Sequence, residues 1–371
     1  MIPLVNLKRQ YNQIRTEVLA AVEEALASTA FIGGPKLKAF EADFARLTGA
    51  VFGVGASSGT SALHLALCML DLKPGDEVLT VPNTFIATAE AIGYTGAAVK
   101  FVDIDEKTYN IDPELLRAAI TEKTKAVVPV HLYGQPADIE QIEQIARERN
   151  IKVVYDAAQA HLATFNGEPL GKFGACVCYS FYPGKNLGAY GDGGMVTTNT
   201  QAFAEKMEML ANHGRSTKYE HIYEGYNYRL HEVQAAILGV KLKYIEKWTE
   251  QRRAIAARYN ELLKDTGCVL PFVDKRARHV YHMYVVRVPH RDEVLAAMAK
   301  KEVFGGIHYP LPLHLQPAYK HLGYKEGDFP ISESCSRDIL SLPMFPEMTE
   351  KEVLTVTEVF KEALDMHSST V

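Results

Sequence analysis

The sequence predicts an α/β protein, a large domain on a mostly parallel sheet followed by a smaller C-terminal α/β domain. Three observations carry this reading. Short apolar runs alternate with helix-period stretches from about residue 51 to 198, long helical patterns then take over, and a composition change near residues 267–271 introduces a further strand and helices. Repeated strand-helix units with wholly apolar strands imply parallel strands covered on both faces. At 371 residues the chain exceeds one ordinary core and suffices for two domains, divided as residues 1–247 and 248–371.

Over residues 11–26 apolar side chains recur at helical spacing, with Ile14, Val18, Val22 and Leu26 on one stripe. A Gly33-Gly34-Pro35 turn separates this helix from a second one through Phe40, Phe44 and Leu47. Both precede the first strand, so they are expected against the sheet or a partner subunit. Strands are then predicted over 51–54, 78–81, 99–102, 126–130, 151–155 and 175–179, and helices over 60–70, 87–94, 113–120 and 139–149. Helices over 202–211 and 231–262 follow, the second interrupted near Trp248. A strand over 281–288 and helices over 292–300 and 349–364 complete the smaller domain.

Net charge is −5, and the basic residues are neither clustered nor interleaved with aromatics, so no nucleic-acid surface is indicated. Five cysteines, an odd number without a CxxC pair, argue against a disulfide scaffold and most zinc patterns, and no metal site is expected. No apolar run approaches membrane-spanning length and no targeting segment is evident, so a cytoplasmic protein without a membrane partner is expected.

The chemistry centres on Ser180-Phe181-Tyr182-Pro183-Gly184-Lys185-Asn186, continued by Gly191-Asp192-Gly193-Gly194. A lysine among Gly, Pro and Asn sits on a turn. The apolar run before it puts that turn at a strand's carboxyl end, where open α/β sheets bind ligands. Lys185 is then a solvated surface residue, a phosphate-loop lysine or a Schiff-base lysine. The phosphate-loop motif needs glycine and Ser or Thr where this chain has Tyr179 and Asn186. A Schiff-base lysine demands a whole aldehyde-cofactor pocket.

Candidates for that pocket stand at other strand ends. Ser58, Gly59 and Thr60 begin a helix after a strand, and free amides there make an anion site; a variant dinucleotide fingerprint or a plain tight turn would read similarly. Asp156 closes an apolar strand and needs a donor or cation, which a protonated pyridine nitrogen or a helix N-cap would supply. Phe85, after another strand, is placed to stack on a flat ring or to pack in the core. Together these groups match the inventory that pyridoxal phosphate requires.

Nearly end to end, the chain resembles the DegT/DnrJ/StrS family of pyridoxal phosphate-dependent sugar aminotransferases. The resemblance rests on residues 58–63, 82–88, 129–135, 156–161, 180–194 and 225–230. It implies the fold type I, aspartate aminotransferase-like architecture. It further implies that Lys185 holds the cofactor aldehyde, Asp156 pairs with the pyridine nitrogen, and Gln159 bonds the ring oxygen. Gly59, Thr60 and Ser180 would hold the phosphate, Phe85 would lie on the ring, and Asn227 would reach the phosphate of a neighbouring subunit in a homodimer with shared sites. Two departures stand out: Tyr155 where the family usually has Glu, and Leu162, a potential change in the pocket wall, where it usually has Gly.

Residues 180–194 and 307–310 look most like the branch that aminates the 3-position of dTDP-linked 3-oxo-6-deoxyhexoses, with the 4-position branch as the near alternative. Tyr182, His308 and Tyr309 would face the sugar, Arg229 would meet a carboxylate or the diphosphate, and L-glutamate would be the donor. A sugar dehydratase would carry histidine in place of Lys185. A non-catalytic regulator would leave Lys185, Asp156 and Gln159 idle.

Overall fold

The computed structural model describes residues 1–368. Seven strands form the central sheet: β1 (Phe52–Ala56), β2 (Glu77–Thr80), β3 (Ala98–Phe101), β4 (Thr124–Val127), β5 (Lys152–Asp156), β6 (Cys176–Ser180) and β7 (Gly194–Thr198). Their order across the sheet is β1-β7-β6-β5-β4-β2-β3, and only β7 runs antiparallel to its neighbours. Because β7 reverses direction between β1 and β6, the carboxyl ends of β1, β2, β5 and β6 share one edge.

Alternate side chains of each strand enter different cores, as the two-residue period requires. Val127, Val153, Tyr155, Val177 and Tyr179 pack with Phe40 and Phe44 of helix α2 (Pro35–Thr48); Ala126, Val154, Cys176 and Cys178 pack under α3 (Gly59–Cys68), α4 (Ala87–Tyr94) and their neighbours. Helices α5 (Pro113–Ala119), α6 (Ile139–Arg149) and α7 (Gln201–Ala211) complete these units, and α4 and α6 keep the expected bounds. All five cysteines are free.

Three expectations are corrected. Helix α1 (Leu7–Ser28), which lies along α8 (Glu232–Leu242), buries Ile14, Val18 and Ala25, while Leu26, expected on the same stripe, is 50% exposed. The stripe turns because each step of four residues overshoots a full turn by about 40°, so Leu26, three steps beyond Ile14, points about 120° away from it. Leu47, expected on the inner face of α2, is exposed. The break between α8 and α9 (Ile245–Leu263) falls at Lys243–Tyr244, and Trp248 sits within α9, packed against Ile14 and Val18.

The second half of α9 joins another core. Ile255, Ala256 and Tyr259 pack with α10 (Arg291–Lys300), α12 (Glu350–Ser368) and the antiparallel pair β8 (Tyr284–Arg287) and β9 (Ile339–Leu342). Ile2 belongs to this core and bridges to Val303, so the first residues of the chain attach to its C-terminal part. Helix α11 (Pro330–Asp338) starts on Asp103 at the edge of the large sheet, whose carboxylate accepts from the amides of Ile331 and Ser332, both at 2.9 Å. Among the described residues no helix is long and apolar enough to cross a membrane.

Candidate active site

At the common edge, β7 begins with Gly194, paired with Ala56 on one side and Ser180 on the other. A Cβ on Gly194 would stand 2.2 Å from the Ser58 carbonyl oxygen, and one on Gly59 would stand 2.7 Å from the Ser180 Cβ. Only glycines let the start of α3 close on the end of β6. The Ser58 hydroxyl is occupied in capping α3, accepting from the Ser61 amide at 3.1 Å while the Ser61 hydroxyl accepts from the Ser58 amide at 2.8 Å. The amides of Gly59 and Thr60 are in the first turn, where no intrahelical carbonyl exists, and Gly59 lies against Ser180, so this helix start makes a small cradle suited to an anion.

Asp156 ends β5, 5% exposed. Its carboxylate accepts from the Thr88 hydroxyl at 2.8 Å and the Ala158 amide at 3.0 Å. Burial raises its pKa, against those two donors and the attraction of Lys185. Neutral donors leave a buried carboxylate short of a cation, and a ring N–H⁺ would supply one. Lys185 is partly buried on the turn after β6, its amide bonded to the Tyr182 carbonyl at 2.9 Å. Burial draws its pKa down to about 8, opposed by Asp156. About a tenth of the amine is therefore neutral at pH 7, far more than for an ordinary lysine, and the neutral form is the one a nucleophile or base requires.

Gln159 is buried, with Oε1 accepting from the Tyr133 amide at 2.6 Å and Nε2 3.4 Å from the Tyr309 hydroxyl. The Tyr309 ring lies 5.8 Å from that of Phe85, tilted by 41°. His308 bonds through Nδ1 to the Ser341 hydroxyl at 2.9 Å, and its carbonyl accepts from the Tyr133 hydroxyl. Burial, then Lys185, pulls the His308 pKa down to about 4, so the imidazole is neutral. Lys185, Asp156, Gln159, Phe85, His308 and Tyr309 thus form one cluster, joined at its edge by Ser180 and the α3 cradle.

Tyr182 stands at the rim, 60% exposed. Asn227 and Arg229 lie elsewhere. Asn227 is exposed and pairs by backbone with Asn212, while Arg229 donates to the Asn212 side chain at 2.9 Å. Their segment still passes the cradle, since the Ser57 amide donates to the Tyr228 carbonyl at 2.6 Å. Leu162 does not form the wall of the Lys185 cluster: it lines a separate cavity of about 100 Å³ with Leu47, Thr48 and Tyr179. Two contributors were not singled out from sequence: Thr88, whose motif was visible without a role, and Tyr133, whose amide orients Gln159.

This cradle, carboxylate and lysine fit pyridoxal phosphate, and comparison with known proteins agrees. The DegT/DnrJ/EryC1/StrS aminotransferase family matches residues 12–361. The chain belongs to that family. It is 47% identical to the pleiotropic regulatory protein of Geobacillus stearothermophilus, over 97% of this chain and 98% of that one. It is 42% identical to the dTDP-3-amino-3,6-dideoxy-α-D-galactopyranose transaminase of Aneurinibacillus thermoaerophilus, over 96% and 98%. The crystal structure of S. venezuelae DesV superposes with a TM-score of 0.95 at 40% identity, over 97% and 98% of the two chains. The family is one of pyridoxal phosphate-dependent sugar aminotransferases with this α/β fold, and that is the activity and cofactor of the chain.

Proposed function

We propose that the protein moves an amino group from L-glutamate to the 3-position of a dTDP-linked 3-oxo-6-deoxyhexose. The observation that carries a transaminase mechanism is the buried Asp156, held by Thr88 and Ala158 beside an amine whose pKa is near 8. Bound pyridoxal phosphate supplies a ring that withdraws electrons from the carbon bearing the amino group. Asp156 keeps that ring's nitrogen charged. With the cofactor bound, the free Lys185 Nζ would act as the general base that takes the proton from the carbon bearing the amino group and as the acid that gives it back. Gly59, Thr60 and Ser180 hold the phosphate, Ser58 sets the helix start beneath it, and Gln159 orients the ring oxygen. Phe85 covers the ring face, and the exposed Asn227 reaches a second copy's phosphate in a two-fold dimer.

The sugar reading is supported by what lines the other wall. His308 and Tyr309 are neutral, whereas a site that grips an amino acid at both ends uses an arginine there for bidentate carboxylate binding. Tyr182 at the rim and Arg229 nearby are the groups proposed to meet the sugar and its diphosphate or the donor carboxylate. Lys185, Asp156 and Gln159 together support turnover over a purely regulatory role. We also propose that the chain divides near residue 248 and acts in the cytoplasm. The test is a coupled assay with glutamate and enzymatically generated 3-oxo and 4-oxo sugar nucleotides. Amination of the 3-oxo substrate is expected; amination of the 4-oxo substrate alone, or of amino-acid keto acids alone, overturns the reading.

A further inference from the structure

The turn that carries Lys185 is fastened at points on either side by groups far away in sequence. On one side Asn186 donates to the Val280 carbonyl at 3.1 Å and meets His282 Nδ1 at 3.3 Å. On the other, α8 presents Gln234 and Lys241, two turns apart on one face. Gln234 grips Tyr190 by both main-chain groups: Oε1 accepts from the Tyr190 amide at 2.9 Å and Nε2 donates to its carbonyl at 3.2 Å. Lys241 is fully buried, donates a short hydrogen bond to the Gly188 carbonyl, and places Nζ 4.4 Å from the centre of the Tyr190 ring.

A buried ammonium is expensive, and among the described residues Lys241 has no carboxylate within ion-pair distance; Glu347 acts on it only from further off. The carbonyl and the ring face are what solvate this cation, through a charge-assisted hydrogen bond and a cation–π contact. The carbonyl is well placed to transmit force to the site. Gly188 packs so tightly that a Cβ there would stand 2.3 Å from the Pro183 oxygen, and the Ala189 amide donates to the Phe181 carbonyl at 2.7 Å. Residues 183–188 therefore form a closed loop with Lys185 inside it, and a shift of Gly188 moves the whole loop.

We propose that Lys241 and Gln234 are positioning residues for Lys185: α8 acts as a splint that holds Gly188 and Tyr190 and thereby aims the Lys185 amine at the cofactor and the reacting carbon. This rests on Lys185 being the cofactor-bound amine. The dependence of rate on placement is steep, since a displacement of about 1 Å can cost about a hundredfold. A charge-assisted bond suits the task because it is shorter and stiffer than a neutral one.

The test strips the purified full chain of cofactor and follows the visible absorbance of the lysine-bound form after adding pyridoxal phosphate. Wild type should develop the band and Lys185→Ala should not; any other result there concerns Lys185 and not the splint. Lys241→Met, similar in length but without a donor, should develop it about tenfold more slowly and lower kcat by a like factor, with KM for the sugar nucleotide unchanged. Lys241→Gln, which keeps an N–H donor, should recover part of both losses. Gln234→Leu, which disturbs no buried charge, should also lower kcat without changing KM, and it decides the matter if Lys241→Met fails to fold by circular dichroism. Wild-type band formation and kcat in folded Lys241→Met or in Gln234→Leu would overturn the proposal. So would equal losses in the Met and Gln variants that merely follow a lowered Tm, because Lys241 would then be a core filler.

Discussion

Asp156, Gln159 and Ser180 stand at strand ends in the middle of the sheet or just beyond them, buried and hydrogen-bonded within one chain, whereas Phe85, Tyr182 and Asn227 stand on connecting segments, exposed. The two regions face different tasks. A cofactor that never leaves needs groups fixed before it arrives, and the sheet edge fixes them through its ladders. A substrate that enters and leaves needs an open rim, and exposed connecting segments leave one. The contrast teaches that a single folded chain already orders the groups at the sheet edge, while Phe85, Tyr182 and Asn227 are left on exposed connecting segments.

The strongest way to break this comparison is Lys185→Ala. Turnover should fall by about 10⁴-fold or more, and the visible cofactor band should vanish. Full activity in that variant would remove the inner region's claim to the chemistry. Asp156→Asn keeps the size of the side chain but removes its charge, and kcat should fall by about 10²- to 10³-fold, as for loss of a single preorganised electrostatic partner. A loss confined to KM would place Asp156 in binding alone. Mixing Lys185→Ala with Asn227→Ala tests the outer region: if sites are shared and subunits exchange at random, half the dimers are mixed and each has one intact site, so about a quarter of wild-type activity should return. A catalytically competent monomer in sedimentation would end the shared-site reading.

A smaller effect follows from the amine itself. The folded pKa of Lys185, about 8, lies below its ordinary 10.5, so between those values the unfolded chain binds more protons than the folded one. Stability of the cofactor-free protein should accordingly rise with pH across that window, the penalty being greatest below pH 8 and relieved as pH approaches 10.5. Urea midpoints measured across the window should rise less steeply in Lys185→Met than in wild type. Equal slopes would mean the amine is solvated, like the rim residues.

How much of this was legible in the sequence follows the same division. The strand-helix alternation was plain because parallel strands buried on both faces are apolar throughout, and Asp156 and Lys185 announced themselves by ending such runs. Strand β7 was hidden because it begins in a glycine run, and β9 because its four residues follow directly on α11 without a turn signal. What orients the site was hidden for a different reason. Thr88 lies 68 residues from the Asp156 it serves, and Asn186 lies 94 from its Val280 partner, so neither pairing leaves a local pattern. The exposure of Leu26 and Leu47 shows the limit of reading a helix stripe beyond the reach of its neighbour.

Leu162 gives the smallest predicted effect and separates backbone demand from packing. Its φ is +64°, a region that favours glycine, and holding a leucine there costs about 1–2 kcal/mol. Its side chain, however, is only 7% exposed, and deleting a buried leucine side chain costs about 2–5 kcal/mol. The burial term is the larger, so Leu162→Gly should lower stability by about 1–3 kcal/mol even though it relieves the backbone. The cavity that Leu162 lines contains none of the cofactor candidates, so kcat should stay near wild type. It does contain Tyr179, the residue before Ser180, and this is where the expectation can fail. A drop in kcat with little change in Tm would mean that Leu162 braces the end of β6 through Tyr179, and the boundary of the inner region would then extend behind the sheet edge to this cavity.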